Sequence, residues 1–177
     1  MRRLFALAAT LLVVACYPGS DAQVAARASR REGERRLRSM KSATAETARG
    51  QAIPGAALHT ALAGKTHVFS YPSRPGGGKG RYVEHYYFAP DGHLAYTNSL
   101  WALEPAGRAE DHWWIDGDRL CLLNSTMNSQ TQCFLLARIP EGRLQYFIAT
   151  PGSEYDGLLT KVTDAVLDGS PPAPRIP

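Results

Sequence analysis

Three turn motifs divide the central part of the chain into short segments of strand-forming residues. Pro90-Asp91-Gly92, Asp116-Gly117-Asp118 and Pro140-Glu141-Gly142 each supply a fixed φ, a side-chain acceptor or a glycine, which tight turns require. The segments between them are rich in β-branched and aromatic residues, which favour extended backbone. The pattern predicts strands at about 66–71, 82–89, 92–99, 110–116, 118–124, 131–138 and 143–149, with a weaker one near 156–163.

Consecutive strands joined by short hairpins form an antiparallel meander. Such a meander protects its edges by closing into a barrel or by folding into a sandwich. We therefore predict a mainly β fold, a small meander that closes into a lipocalin-like barrel, with a β-sandwich as the alternative. One short N-terminal helix is predicted from Pro54 to Ala63, because Pro54 suits a helix start and Gly64 suits the position after its end. This helix should pack on the β domain.

The first residues have the pattern of an export signal. The charged Met1-Arg2-Arg3 is followed by an apolar run from Leu4 to Ala15, which is too short for a resting transmembrane helix. The run ends in Val13-Val14-Ala15-Cys16, which resembles the lipobox of bacterial lipoproteins. The resemblance implies that the signal is cut before Cys16 and that this cysteine carries acyl chains. The alternative is an ordinary secretory signal.

The residue after Cys16 bears on the final membrane. It is Tyr17 and not Asp, which in Gram-negative lipoproteins resembles a signal for the outer membrane. The resemblance implies a lipid-anchored protein that faces the periplasm, and the alternative is secretion into the periplasm. We divide the chain into a signal peptide (1–15), a lipidated N-terminus with a basic tether (16–49), a β domain with its leading helix (50–165) and a disordered tail (166–177).

The positive charge of the chain is concentrated in the predicted tether. From residue 50 onward ten basic residues face twelve acidic ones, whereas residues 21–49 hold eight basic against four acidic residues. The stretch 20–40 has good helix formers but little apolar periodicity, so it is at best a frayed helix. It is either a solvated spacer or a contact with anionic lipid or glycolipid. Binding to nucleic acid is not expected of an exported protein. The basic residues are Arg27, Arg30, Arg31, Arg35, Arg36, Arg38, Lys41 and Arg49.

Two cysteines remain in the predicted β domain, Cys121 and Cys133. A hairpin folded about Met127 places them opposite each other, at the spacing that a disulfide needs, and the periplasm is an oxidising compartment. We therefore predict a structural disulfide, which contributes about 3 kcal/mol in the chain-entropy model. A redox-active or metal-binding thiol pair is the alternative, but no Cys-x-x-Cys motif and no second pair of ligands accompanies the two cysteines.

The tryptophan pair in the fourth predicted strand indicates which residues face the interior. Adjacent strand residues point to opposite faces, so one of Trp113 and Trp114 must face outward. We expect Trp113 inside and Trp114 on the outer wall, beneath the short helix near Leu58. Trp113, Phe134 and Tyr146 then line the interior. They form either plain core packing or one wall of a cavity for a small apolar ligand, which a barrel of about eight strands can just hold.

No arrangement typical of catalysis is visible in the sequence. His85 and His93 flank a turn but cannot share a metal ion in either hairpin register, so we predict no metal, no cofactor and no catalytic residue. An envelope enzyme is an alternative that would need a cluster such as His85, His112 and Asp111. An inhibitor of a hydrolase is a further alternative, with the loop from Ser73 to Arg81 as its probe.

Four features follow one another along residues 55–160. They are a helix that ends in Gly64-Lys65-Thr66, an aromatic-Asp-Gly hairpin at 87–92, Trp113 eight residues before Cys121, and Cys133 in the next strand. This order resembles a family of small exported Gram-negative proteins with no established activity. The resemblance implies an exported β domain with a cysteine pair and transfers no catalytic residue.

The predicted function is that of an outer-membrane-anchored periplasmic lipoprotein. Its β domain is expected to be a non-enzymatic binding or structural module. The expected partners are the membrane, through the lipid anchor, and either a small apolar ligand or an envelope protein.

Overall fold

The computed structural model of the chain describes residues 21–72, 79–99, 110–125 and 128–170. The predicted signal, Cys16, Met127, residues 73–78 of the predicted probe loop and residues 171–177 lie outside the described residues. The fold is mainly β, as predicted, and the chain divides after Arg36 into two units. The helices and strands are α1 (Asp21–Glu46), β1 (Gln51–Ala52), α2 (Gly55–Leu62), β2 (Lys65–Tyr71), β3 (Tyr82–Phe88), β4 (Leu94–Asn98), β5 (His112–Asp116), β6 (Arg119–Asn124), β7 (Asn128–Arg138), β8 (Leu144–Ile148), β9 (Leu159–Val162) and β10 (Ala165–Asp168).

The strands form two antiparallel sheets. The large sheet has the order β5-β6-β7-β8-β9, and β1 pairs with the end of β7. The small sheet has the order β10-β2-β3-β4. Each of the eight predicted strands is present, because the turn motifs separate one strand from the next. At one of these turns Asp116 pairs with Arg119, and Gly117 between them has a φ of +60°. Two sheets fit the sandwich that the sequence left as its alternative.

The last strand corrects the predicted domain boundary. β10 begins at Ala165 and continues to Asp168, within the predicted disordered tail, and it pairs with β2 in the register Ala165↔Val68 to Asp168↔Lys65. Lys65 Nζ also contacts Asp168 Oδ1 at 2.6 Å. Four residues are too few for a periodic pattern to stand out, so the pairing with β2 decides the structure here and the sequence does not.

Helix α1 is longer and more regular than the frayed helix predicted for residues 20–40. In the first unit its described side chains are mostly exposed, and Arg30 pairs with Glu34 one turn later at 3.2 Å. From Leu37 onward the helix belongs to the second unit, in which Met40 is buried. The compact domain therefore starts earlier than the predicted boundary at residue 50.

Hydrogen bonds fix the segment after Met40 to the outer face of the large sheet. The Leu159 amide donates to Thr44 Oγ1 at 2.8 Å. The buried side chain of Gln145 donates to the Ala48 carbonyl and accepts from the Gly50 amide, at 2.9 and 2.8 Å. A second apolar cluster, Ala137, Phe147 and Leu159, lies on the same outer face. These residues were predicted to be a solvated tether, but here they satisfy buried polar groups of the sheet.

The main core lies between the inward faces of the two sheets, with α2 packed against it. Leu58 and Leu62 of α2 are fully buried, as the short-helix prediction requires. The start of α2 rests on the turn between β5 and β6: the Gly55 amide donates to Asp118 Oδ1 at 2.7 Å, and a Cβ at position 55 would collide with the Gly117 carbonyl oxygen. Among the described helices, none is long and apolar enough to cross a membrane.

Candidate functional site

The three residues predicted to line the interior all belong to the main core. Trp113, Phe134 and Tyr146 are buried, and the rings of Phe134 and Tyr146 meet edge to face with centroids 5.6 Å apart. Trp113 packs on Phe88 and donates from Nε1 to the Ala89 carbonyl at 3.0 Å. Trp113 therefore faces inward as predicted, and whether these residues also wall a cavity stays a prediction.

The short helix contacts a different tryptophan from the one expected. The ring of His59 in α2 lies 5.8 Å from Trp113, whereas Trp114 stacks on His112 with ring centroids 5.1 Å apart. The reason is geometric: α2 packs over one end of the core through Leu58 and Leu62, so it meets the inward-facing tryptophan.

The predicted cysteine pairing is confirmed. Cys121 and Cys133 form a disulfide between directly opposed positions of β6 and β7. Their neighbours pair in the same register, Leu120 with Phe134 and Leu122 with Gln132. The disulfide therefore joins two adjacent strands of the large sheet, the middle strand β7 and its neighbour β6. The lipidation site predicted at Cys16 lies outside the described residues.

The histidines and Asp111 do not assemble the cluster that an envelope enzyme would need. His93 and His112 face each other in an isolated bridge, but the described residues contain no group of three or more metal-binding side chains. His112 Nδ1 bonds to the Glu110 carbonyl at 2.7 Å, and Asp111 Oδ1 accepts from the Ser125 amide and hydroxyl. His85 lies on β3, where it is paired with Thr97.

The main polar feature between the sheets is Lys161 of β9. Its Nζ lies 4.1 Å from the ring centroid of Tyr86 and 4.4 Å from that of Phe69, with Tyr146 and Phe134 at 5.3 and 5.6 Å. The residue is half-buried, whereas the four rings are buried. Within the described part of the chain, Lys161 has no hydrogen bond and no ion pair. We call these four rings and Lys161 the lysine cage.

A bulge in β9 turns Lys161 inward. β8 and β9 pair as Tyr146↔Lys161 and Phe147↔Leu159, so Thr160 is an extra residue without a partner in β8. Leu159 and Lys161 are two positions apart and would share one face of a regular strand. The extra residue separates them, so that Leu159 packs on Phe147 outside and Lys161 lies against Tyr146 inside.

The strands of the small sheet add a polar group to the same interior. The buried Glu84 accepts hydrogen bonds from the hydroxyls of Tyr71 and Tyr96, both at 3.1 Å. Tyr96 also contacts the Tyr82 hydroxyl at 2.9 Å. Burial raises the pKa of Tyr82 and of Tyr96, so both phenols are neutral at neutral pH. Both of these hydrogen bonds to the Glu84 carboxylate therefore come from phenols.

His67 connects the two sheets beside the lysine cage. This buried imidazole forms a hydrogen bond through Nδ1 with the Tyr146 hydroxyl. Burial lowers the pKa of His67 to about 3; the Ala61 carbonyl opposes this shift, and the charge of Lys161 adds to it. Burial also raises the pKa of Tyr146 well above its ordinary value. At neutral pH the bond therefore joins a neutral imidazole to a phenol.

The environment of Lys161 also changes its protonation. Burial lowers the pKa of Lys161 from 10.5 to about 8, and the Glu84 carboxylate opposes this shift. At pH 7.5 roughly a quarter of such amines are uncharged, against about 0.1% of lysine amines in water. An amine of this kind can act as a hydrogen-bond donor, a base or a nucleophile. The sequence offered no signal for it, because Lys161 turns inward only through the bulge.

No family model matches the chain, and no curated protein or solved structure matches it significantly. The resemblances to bacterial lipoproteins and to a family of exported proteins therefore rest on their motifs alone.

Proposed function

We propose that the chain is an outer-membrane-anchored lipoprotein, facing the periplasm, whose non-enzymatic β domain binds a small ligand between its two sheets. The observation that carries this proposal is the lysine cage. Within the described residues, the Lys161 amine has no acceptor, although its surroundings are largely buried. Lys161 is half-buried among these rings, and a hydrogen bond from its amine to a ligand oxygen is stronger in such surroundings than in water.

The surroundings of Lys161 indicate the shape of the ligand. Phe134 and Tyr146, two of the residues predicted to line a cavity, are cage rings, whereas Trp113 lies nearer to α2 and packs on Phe88. The ring faces suit a flat or apolar body, and the amine suits one polar atom. The proposed ligand is therefore a small, mainly apolar molecule with one acceptor group.

We also propose that the two sheets close into a lipocalin-like barrel. Two sets of hydrogen bonds support closure. Between β4 and β5, the Leu94 amide donates to the Asp111 carbonyl at 3.1 Å and the Trp113 amide to the Gly92 carbonyl at 2.9 Å. Between β9 and β10, the Thr163 amide bonds to β8 and the Asp164 amide to β2, each at 2.8 Å. The chain thus passes from one sheet directly into the other.

Amide hydrogen exchange tests closure of the barrel. We call the β4–β5 and β9–β10 junctions the two seams. In a closed barrel the amides of Leu94, Trp113, Thr163 and Asp164 at these seams are expected to exchange as slowly as amides in the middle of β3, because their hydrogen bonds break only when the whole domain unfolds. Fast exchange at either seam, with slow exchange in β3, would support an open sandwich instead.

The anchor and the compartment are supported by three features. The lipobox-like Val13-Val14-Ala15-Cys16 predicts acylation, and two or three acyl chains hold a protein to a membrane durably. The disulfide between Cys121 and Cys133 fits an oxidising compartment. The exposed arginines of α1 in the first unit suit contact with anionic lipid or glycolipid.

Native mass spectrometry of the chain, purified in detergent from the outer-membrane fraction, tests anchor and ligand together. We expect the wild type to lack residues 1–15, to carry acyl chains on Cys16 and to retain an added small-molecule mass after buffer exchange. The Cys16→Ala variant should leave the membrane fraction. The Lys161→Met variant should lose the added mass, whereas Lys79→Met, at an exposed lysine, should keep it.

Each result has a defined consequence. A Cys16→Ala variant that stays in the membrane fraction would contradict the lipoprotein proposal. A clean apo mass for the wild type would contradict ligand binding and favour a structural module with envelope-protein partners.

A further inference from the structure

We propose that Lys161 captures its ligand covalently and reversibly, as an imine with a small aldehyde or unhindered ketone that carries an apolar or aromatic group. This inference rests on the proposed binding function and names its ligand class. It concerns binding without turnover. It starts from the lysine cage, in which a primary amine is surrounded by ring faces and is bound to no acceptor among the described residues.

The walls of the cage select against an anionic ligand. An aromatic ring presents its negative face to a cation above it, and four rings take this position around Nζ. The Glu84 carboxylate also acts electrostatically on Lys161. A carboxylate or phosphate placed on the amine would meet the negative ring faces and Glu84, and it would lose its hydration. A neutral carbonyl compound has none of these penalties.

The walls also explain why a carbonyl carbon could be attacked here. Attack needs the uncharged amine, and desolvation among apolar groups is one established way of activating a lysine. Burial lowers the pKa of Lys161 to about 8, which supplies that form near neutral pH. The side chain is half-buried, so part of it is exposed to solvent.

The chemical step balances without an oxidant or a reductant. The lone pair of the neutral amine forms a bond to the carbonyl carbon, and a carbinolamine results. The carbon–oxygen bond then breaks, and the oxygen leaves as water with the two hydrogens that the amine nitrogen loses. The product is the imine, and addition of water reverses the step. The ring faces around Nζ then pack on the apolar part of the captured molecule.

Reductive trapping with matched probes tests the inference. The purified full chain is incubated at pH 7.5 with benzaldehyde or with 4-formylbenzoate, which adds a carboxylate to the same ring, and cyanoborohydride reduces any imine to a stable amine. Peptide mapping then reads the labelling of each lysine. The chain has four lysines, Lys41, Lys65, Lys79 and Lys161, so each site can be assigned.

We expect benzaldehyde to label Lys161 at least about tenfold more than Lys79, because burial lowers the pKa of Lys161 to about 8 and so supplies uncharged amine near neutral pH. With 4-formylbenzoate the preference for Lys161 should disappear. Labelling of Lys161 should rise between pH 7 and pH 8.5 and then level off. These measurements use the wild type, so they do not depend on the folding of a variant.

The outcomes separate the two proposals. Equal or weaker labelling of Lys161 than of Lys79 overturns imine capture, and so does equal preference for the anionic probe. If imine capture fails while native mass spectrometry still finds a ligand, the binding function stands with a non-covalent ligand. If neither trapping nor a bound mass is found, both proposals fail.

Discussion

Acidification from pH 6.5 to pH 3 is expected to destabilise the β domain by roughly 4–5 kcal/mol through His67 alone, on the scale of 1.36 kcal/mol for each unit of pKa shift. His67 of β2 is fully buried, and its ring contacts the Tyr146 hydroxyl. Burial lowers the pKa of His67 from 6.5 to about 3. Among the described residues, no carboxylate forms a hydrogen bond with His67 that would compensate a charged imidazole.

The direction of the effect follows from proton linkage. Below pH 6.5 the unfolded chain protonates His67 while the folded chain does not, so protons favour the unfolded state. The contribution of His67 to stability is complete above pH 6.5, falls as the pH decreases, and stops changing below about pH 3, where both states are protonated.

Urea unfolding between pH 7 and pH 3 measures this effect in the wild type and in His67→Gln. The wild-type free energy of unfolding should fall with an additional slope that approaches 1.36 kcal/mol per pH unit, and the variant should lack this additional slope. The exposed His112, changed to Gln, is the matched control and should keep the wild-type slope. Parallel pH dependence in wild type and His67→Gln would show that the imidazole does not titrate in this way. If His67→Gln does not fold, a titration of the wild-type imidazole by NMR gives the same answer.

Opening the disulfide between Cys121 and Cys133 is expected to lower the free energy of unfolding by about 3 kcal/mol. The closed disulfide restricts the unfolded chain, and reduction returns that conformational entropy to the unfolded state. The two cysteines join opposed positions of β6 and β7, and the neighbouring residues Leu120 and Phe134 belong to the main core. We expect the native contacts to remain in place on reduction, so the decrease in the free energy of unfolding should come mainly from the unfolded state.

Reduction of the wild type, compared with the Cys121→Ala, Cys133→Ala double variant, measures the contribution. The reduced wild type keeps every side chain, whereas the double variant also loses two sulfur atoms, including that of the buried Cys121, and should be somewhat less stable. The double variant should not respond to the reductant. A stability unchanged by reduction, with free thiols verified by mass, would refute a stabilising role for this disulfide.

The lysine cage has a consequence for stability as well as for binding. Burial of Lys161 disfavours its charged form. Cation–π contacts with the ring faces offset part of this free-energy cost. A methionine of similar length would supply the same packing as this lysine.

The sequence by itself determined the strand segments, the hairpins and the cysteine pairing. Turn motifs such as Asp116-Gly117-Asp118 are local signals, because a tight turn depends on the φ values and side chains of a few adjacent residues. A hairpin register centred on Met127 predicts Cys121 opposite Cys133, and the strands reach this register through an irregularity between Leu122 and Asn124 that the sequence does not reveal. Alternation also requires Trp113 and Trp114 to face opposite sides, and the packing of the core shows that Trp113 is the inner one.

The tertiary structure alone decided where the polar groups of the interior lie. A regular strand would have placed Lys161 on the same face as Leu159, and only the pairing of β9 with β8 reveals the extra residue Thr160 that separates them. Pairing across the sheets likewise decided that β10 is a strand and that Thr44 closes a hydrogen bond on Leu159. Such features depend on residues far apart in the chain, so local conformational preference and hydrophobic periodicity do not predict them.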